Sequence, residues 1–289
     1  MDNQSLRLAV QKSGRLYEDS IKLIESCGIS INRADNKLKS RANNFPLELL
    51  YLRDDDIPEY VADGVAHAGI VGKNLVVEKQ KLVSEVVELG FGRCRLSIAG
   101  PESLNYTDIQ SLQGKRIATT YKNTLSAFLE KEGLNCEIRE IRGSAEIAPG
   151  IGLADAVCDL VSSGSTLLSN RLKELTTVLH SEAVLIKNRA LNSEVEALLG
   201  KLIFRIRAVR RASNSKYILL NAPTESVPAI CEILPGLKSP TVLPLARSGW
   251  SSVHSVVSED DFWEVIEGVG ELGAEGVLIV PIEKMVGIR

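Results

Sequence analysis

Apolar and polar positions repeat loosely along the first two-thirds of the chain. "LRLAVQKSGRLYEDSIKLIESCGISI", from Leu6, and "KRIATTYKNTLSAFLEKEGLNCEI", from Lys115, each read as a short apolar run, a polar turn, an amphipathic helix and a second apolar run. Gly28 and Gly133 stand where a left-handed residue closes a helix. Downstream of each copy comes a related pair, "DGVAHAGIVGKN" from Asp63 and "GLADAVCDLVSSGST" from Gly152, both a helix end, a buried strand and a polar turn. Two βαβ-type halves predict an α/β fold of two lobes with mostly parallel sheets, and a ligand-facing cleft at the strand C-termini.

The pattern changes at Ser193. "SEVEALLGKLIFRIRAVRRAS" puts Val195, Leu198, Leu199, Leu202, Ile203, Ile206 and Val209 on one helical face. Its basic end, with Arg205, Arg207, Arg210 and Arg211, suits the C-terminal end of a helix dipole, so the segment reads as a connector. The remainder alternates "YILLNA", helix "ESVPAICEIL", "PTVLPLA", "SSVHSVV", helix "DDFWEVIEGVGEL" and "GVLIVPI", a ferredoxin-like (ACT-like) βαββαβ order. Ser258 and Asp261 form a near capping box ahead of the last helix. On fold alone such a module is as readily a dimerisation or stabilising unit as a regulatory sensor. The expected domains are 1–95 with 185–212, 96–184, and 213–289.

Composition narrows the class. At 289 residues, 44% of them hydrophobic and 25% charged, the chain suits two or three globular units. A net charge of −3 argues against a nucleic-acid surface, so any anion site is local. The five cysteines, Cys27, Cys94, Cys136, Cys158 and Cys231, lack paired spacing and read as reduced, mostly core residues. "MDNQSLRLAV" has no leader-like pattern and no apolar run is long enough for a bilayer, so the expected location is the cytoplasm, away from membranes.

The densest local chemistry is "CDLVSSGSTLLSN", from Cys158. A buried strand runs into a helix through small hydroxyl residues around Gly164, and N–H groups at a helix start favour an anion. The same residues are also the ordinary choice for a helix cap. "DDDIP", from Asp54, reads as the cap of a helix with proline in its first turn rather than as a metal site.

Longer stretches carry a resemblance. "AVQKSGRL", "RDDDIP", "GIVG", "CRLSIA", "RIATTY", "GSAEIAP", "GLADAVCDLVSSGSTL" and "SPTVLPLA" occur in one order, followed by "FWEVIE" and "VLIVPIEKM". In these motifs the chain resembles the long-form ATP phosphoribosyltransferase family over essentially its whole length. The resemblance implies two periplasmic-binding-protein-like lobes, a C-terminal domain that binds histidine as feedback inhibitor, and a homo-oligomer of dimers assembling into a hexamer. It implies attack of the ATP adenine N1 on C1 of phosphoribosyl pyrophosphate, with magnesium present.

By the same resemblance, Ser162, Ser163, Gly164, Ser165 and Thr166 cradle the 5-phosphate, and Asp159 and Glu146 hold the ribose hydroxyls. Arg15 joins those two carboxylates as the expected catalytic set. ATP is expected at Lys12, Arg15, Arg53, Gly72, Arg95 and Thr120, with the hydroxyls of Thr119 and Tyr121 nearby. Histidine is expected at Asn221, Ser239, Thr241 and Ala274. Magnesium is expected on the pyrophosphate, with no dedicated protein side-chain site.

Four positions depart from the family's pattern. His67 and Lys73 stand where carboxylates are usual, Gly150 replaces a basic residue and Lys122 a proline. His67 also occupies the repeat position of Asp155, and reads as a helix-end histidine with a solvent role. Two other classes fit less of the sequence. A non-catalytic bilobal small-molecule sensor shares the lobes. A nucleotide phosphoribosyltransferase with another acceptor predicts adjacent acidic residues before the phosphate loop, where Asp159 stands alone.

Overall fold

The computed structural model describes residues 5–32, 38–234 and 236–287; the first four residues of the N-terminal stretch and the last two of the chain lie outside them. The chain divides into two compact units, Met1–Lys201 and Leu202–Arg289.

The first unit opens with β1 (Leu6–Gln11), α1 (Arg15–Ser26), β2 (Lys39–Arg41), β3 (Leu47–Leu52), α2 (Ile57–Ala62), β4 (Ala68–Gly72), α3 (Lys73–Lys79) and β5 (Val83–Glu88). It continues with β6 (Cys94–Pro101), β7 (Arg116–Thr119), α4 (Lys122–Lys131), β8 (Glu137–Glu140), β9 (Ala156–Val161), α5 (Ser165–Ser169) and β10 (Leu172–Ser181), then β11 (Ala183–Asn188) and the start of the long helix α6 (Ser193–Ser213), within which the division between the units falls. The strands form two sheets, ordered β2-β3-β1-β4-β11-β5 and β10-β6-β9-β7-β8. The parallel strands are β3, β1 and β4, in the middle of the first sheet, and β9, β7 and β8, from the middle to one edge of the second. The flanking pairs β2–β3, β4–β11, β11–β5, β10–β6 and β6–β9 are antiparallel.

The central strands are apolar on both faces because both faces are covered: Leu8, Ala9, Val10, Ala68, Ile70 and Val71 are fully buried. Helix α1 buries Ser20, Ile21, Leu23 and Ile24, the stripe that its period predicts. It closes at Gly28 with φ 74°, as α4 does at Gly133 with φ 68°, a backbone that Cβ-bearing residues rarely adopt. The Asp54–Asp56 run is a 3-10 turn leading straight into α2, with Pro58 in the first turn. Asp56 is therefore already helical and its side chain makes no cap, which corrects that expectation.

The second unit holds β12 (Ser215–Pro223), α7 (Val227–Ile233), β13 (Thr241–Pro244), β14 (Trp250–Ser258), α8 (Phe262–Glu271) and β15 (Glu275–Pro281). Its sheet order is β13-β14-β12-β15, all pairs antiparallel, which is the ferredoxin-like arrangement. Ile230, Phe262, Val265 and Val269 from the helices pack on Ile218, Leu220, Ala222, Val253 and Val257 of the sheet. Ser258 Oγ accepts from the Asp261 N–H at 3.1 Å and donates to its carboxylate at 2.7 Å. The reciprocal bond to the serine backbone is replaced, so this is half a capping box.

Candidate functional site

Parallel strands deliver their loops to one edge, and the chain's polar turns collect there. In the first sheet Gln11 lies opposite Leu52, so Lys12 and Arg53 follow adjacent strands, and the Lys12 N–H donates to Leu52 O at 2.8 Å. Arg15 opens α1 just after Gly14, whose φ of 90° turns the chain. Lys12, Arg15 and Arg53 are all exposed and form no ion pair among the described residues. Gly72 ends β4, and a Cβ there would overlap the Asn74 carboxamide. Its smallness is thus required by a neighbouring side chain.

At the matching edge of the second sheet, Glu146, Asp159 and Ser162, Ser163, Gly164, Ser165 and Thr166 line one pocket. Gly164, with φ 82°, lets the chain turn from β9 into α5. Ser163 and Ser165 hydroxyls face each other at 3.1 Å. Since α5 is only one turn and a half, loop N–H groups and hydroxyls, rather than a long helix dipole, form this surface. Burial pushes the Asp159 carboxyl above the usual range, the Leu160 N–H bond at 2.7 Å opposes this, and the negative Glu146 nearby raises it further.

A larger cavity of about 530 Å³ is lined from both halves of the unit, by Arg53, Asp54, Leu75 and Glu78 on one side and Thr120, Tyr121, Glu140 and Arg142 on the other. Such a volume suits a small-molecule ligand. Arg95 lies on β6. It sits beside the serine loop, its Nη1 donating to Ser162 O at 3.5 Å, and its Nε donates to Glu174 at 2.6 Å. Glu174, held below the usual carboxylate range by Arg95, also accepts from Ser97 Oγ at 2.8 Å. Nothing in the local sequence marked Glu174 or Glu78, because each meets its partners through a distant strand or helix.

The expected solvent role of His67 is corrected. Its Nδ1 faces the Arg7 N–H at 3.0 Å and its Nε2 faces Arg7 Nη2 at 3.0 Å, while Nη2 also donates to Gly64 O. In the second half Arg116 does the same with Asp155, through its N–H at 2.8 Å, Nε at 3.2 Å and Nη2 at 2.9 Å, and reaches Gly152 O. Lys73 pairs with Glu88 at 3.3 Å and Glu85 at 3.7 Å, and Lys122 with Glu140 at 3.6 Å. Gly150 is exposed. Of the cysteines, Cys27 and Cys158 are buried and the other three partly so; all are free thiols.

In the second unit Asn221 pairs with Glu275, bringing it to the corner that Ala274 leads into. Thr241 belongs to the exposed edge strand β13, separated from β12 by β14, and Ser239 lies in the bend two residues before it. The four expected histidine contacts therefore fall in two places on this sheet. No helix is long and apolar enough to cross a membrane, and no group of three or more metal-ligating side chains converges, among the described residues.

This geometry has relatives. The family described as ATP phosphoribosyltransferase matches residues 53–208, and the one described as HisG, C-terminal domain, matches 212–284. The ATP phosphoribosyltransferase of Cytophaga hutchinsonii is 57% identical over 281 residues, 97% of this chain and 98% of that protein. That of Bacteroides fragilis is 50% identical over 97% of this chain and 99% of its own length. Among solved structures, the ATP phosphoribosyl transferase (HisG:HisZ) complex of Thermotoga maritima matches with TM-score 0.59 and 28% identity, covering 70% of this chain and 98% of that one. With both family matches, half or more of the sequence identical to named enzymes and a bilobal site at the sheet edges, the chain belongs to the ATP phosphoribosyltransferase family, which catalyses the first step of histidine biosynthesis.

Proposed function

We propose that the serine loop and its two carboxylates form the phosphoribosyl half of the active site. Ser162, Ser163, Gly164, Ser165 and Thr166 receive the 5-phosphate through N–H and O–H donors, and Asp159 and Glu146 accept from the ribose hydroxyls. The observation that carries this reading is that all seven residues line one pocket at the edge of one sheet. ATP enters the 530 Å³ cavity, its phosphates met by Arg53, Lys12 and Arg15 from the opposite half and its nucleoside by Thr120. Gly72 serves by letting Asn74 approach, and Arg95, held by Glu174 beside the serine loop, stays among the proposed ATP contacts.

In the transfer, adenine N1 forms a bond to ribose C1 as the C1–O bond to pyrophosphate breaks. No side-chain nucleophile is needed, so the residues act by positioning and by stabilising charge. The donor set fits a magnesium ion held mainly by the pyrophosphate, with no dedicated protein side-chain site among the described residues, since this ion commonly takes few protein carboxylates and completes its shell with substrate phosphates and water. When bound, it would neutralise the departing pyrophosphate.

The same reading takes 1–95 with 185–212, 96–184 and 213–289 as the domains. The last acts as a histidine-binding regulatory module, using Asn221, Ser239, Thr241 and Ala274. Because these lie in two places on one sheet, a complete pocket draws on a second copy of the chain, in line with a cytoplasmic dimer-to-hexamer assembly. The test is pyrophosphate release from ATP and phosphoribosyl pyrophosphate with magnesium, at rising free histidine. Turnover suppressed by histidine supports enzyme and regulator together. Turnover indifferent to histidine removes the regulatory half.

A further inference from the structure

Helix α4 begins without a cap of its own, since the Tyr121 side chain at its N-cap makes no hydrogen bond to the first N–H groups of the helix. The missing acceptor comes from the other half of the unit. Glu78, near the end of α3, accepts from the Asn123 N–H at 3.0 Å through one oxygen, and from the Thr124 N–H at 2.9 Å and hydroxyl at 2.8 Å through the other. Asn123 Nδ2 returns a bond to the Glu78 carbonyl at 2.9 Å. Glu78 is only 8% exposed. A buried carboxylate is costly unless fully hydrogen-bonded, and here three donors and the positive end of α4 offset the lost hydration.

A second contact runs beside it. Asn74 donates to the Tyr121 hydroxyl at 3.1 Å and accepts from Ser181 Oγ at 2.9 Å, and the Tyr121 ring packs against the apolar clusters of both halves. The turn before α4 is tied onward: the Tyr121 N–H donates to Thr119 Oγ1 at 2.9 Å, and that hydroxyl donates to Cys158 O at 2.7 Å. Cys158 is the residue before Asp159. A hydrogen-bonded chain thus links α3 in one half to the strand that carries the serine loop in the other.

We propose that Glu78 is a positioning residue for the transfer, fixing the two halves at the separation that brings adenine N1 onto ribose C1. The inference rests on the site reading above and deepens it. A displacement of reacting groups by about 1 Å costs on the order of a hundredfold in rate. Glu78 also lines the cavity shared with Arg53 and Thr120, so the contact sits where such a displacement would be felt.

The experiment compares kcat and both KM values in Glu78→Gln, Glu78→Ala, Thr124→Val and the Glu78→Ala/Thr124→Val double variant, with thermal unfolding of each. Expected is a fall in kcat of about tenfold in Glu78→Gln and more in Glu78→Ala, the equivalent of one or two charge-assisted hydrogen bonds. The KM for phosphoribosyl pyrophosphate should stay within about twofold, because its loop lies wholly in one half, and the double variant should cost less than the sum of the singles. An unchanged kcat in folded Glu78→Ala, strict additivity, or a rise in that KM matching the whole loss would overturn the proposal. If Glu78→Ala does not fold, Thr124→Val alone decides, by a kcat loss at constant KM or its absence. Failure of the underlying site reading is visible separately, as a Ser163→Glu enzyme with unchanged kinetics.

Discussion

Arg7 and His67 reproduce, in the first half of the large unit, the pairing that Arg116 and Asp155 make in the second. The two pairs differ in what they satisfy. Asp155 accepts from the Arg116 N–H, Nε and Nη2. A neutral imidazole has one acceptor, yet both ring nitrogens of His67 face Arg7 donors. One of those contacts therefore lacks an acceptor in either tautomer, and Arg7 Nε is buried with no partner among the described residues.

Restoring the carboxylate should stabilise the protein. His67→Asp would give Arg7 Nε an acceptor and raise stability by about 1 kcal/mol, a shift of about 2 °C in melting temperature for a chain of this size. Calorimetric unfolding of the two proteins at neutral pH measures it; an unchanged or lower melting temperature would remove the frustrated-pair argument.

The same site sets a pH dependence. Burial, and then the Arg7 charge, hold the folded-state pKa of His67 below its ordinary 6.5. The unfolded chain therefore binds the proton more readily, and stability should decline as pH falls through 6.5 toward the folded value. His67→Asp should lack this contribution, so the stability gap between the two proteins widens from pH 7.5 to 5.5.

The reverse exchange is the control. Asp155→His would build the frustrated pair into the second half and cost about 1 kcal/mol, a modest figure because Arg116 and Asp155 are partly exposed. Equal stability of Asp155→His and wild type would mean that the pairs are not equivalent.

Asp159 should govern the acid limb of the rate profile. Burial first, and Glu146 as well, raise its pKa, so the carboxylate form that the proposed ribose contact needs is lost at a higher pH than for an ordinary aspartate. Glu146→Gln removes one of the two raising causes. The acid limb of kcat/KM should then move to lower pH in whatever activity remains; a limb that stays put would assign it to another group.

Ser163→Glu places a carboxylate where the 5-phosphate is proposed to lie. Turnover should fall to background, with the melting temperature nearly unchanged because residue 163 is exposed. A fall in both would indicate misfolding, and Ser163→Ala, with a milder loss of affinity for phosphoribosyl pyrophosphate, then decides.

Much of this was legible along the chain because its signals are local. The 3.6-residue stripe of α1, the glycines closing α1 and α4, the apolar runs of β1, β4 and β9 and the βαββαβ order of the last unit all follow from period and backbone chemistry within a few residues. The serine loop belongs to the same class, since a strand, a left-handed glycine and a short helix are consecutive. Order in sequence also carried the family, through motifs spread over nearly the whole length.

Long-range pairing decided the rest. Glu174 reaches Arg95 only because β10 lies antiparallel to β6 with two irregularities in register, and Glu78 caps a helix that begins more than forty positions later. His67 looked like a solvated histidine until β1 and β4 were laid side by side, which set Arg7 against it. Sequence determined which segments are strands, helices and glycine-bearing turns, because those depend on neighbours along the chain. Which charges are satisfied, which are frustrated and how the two halves are held are set by sheet order, and that order is a property of the folded whole.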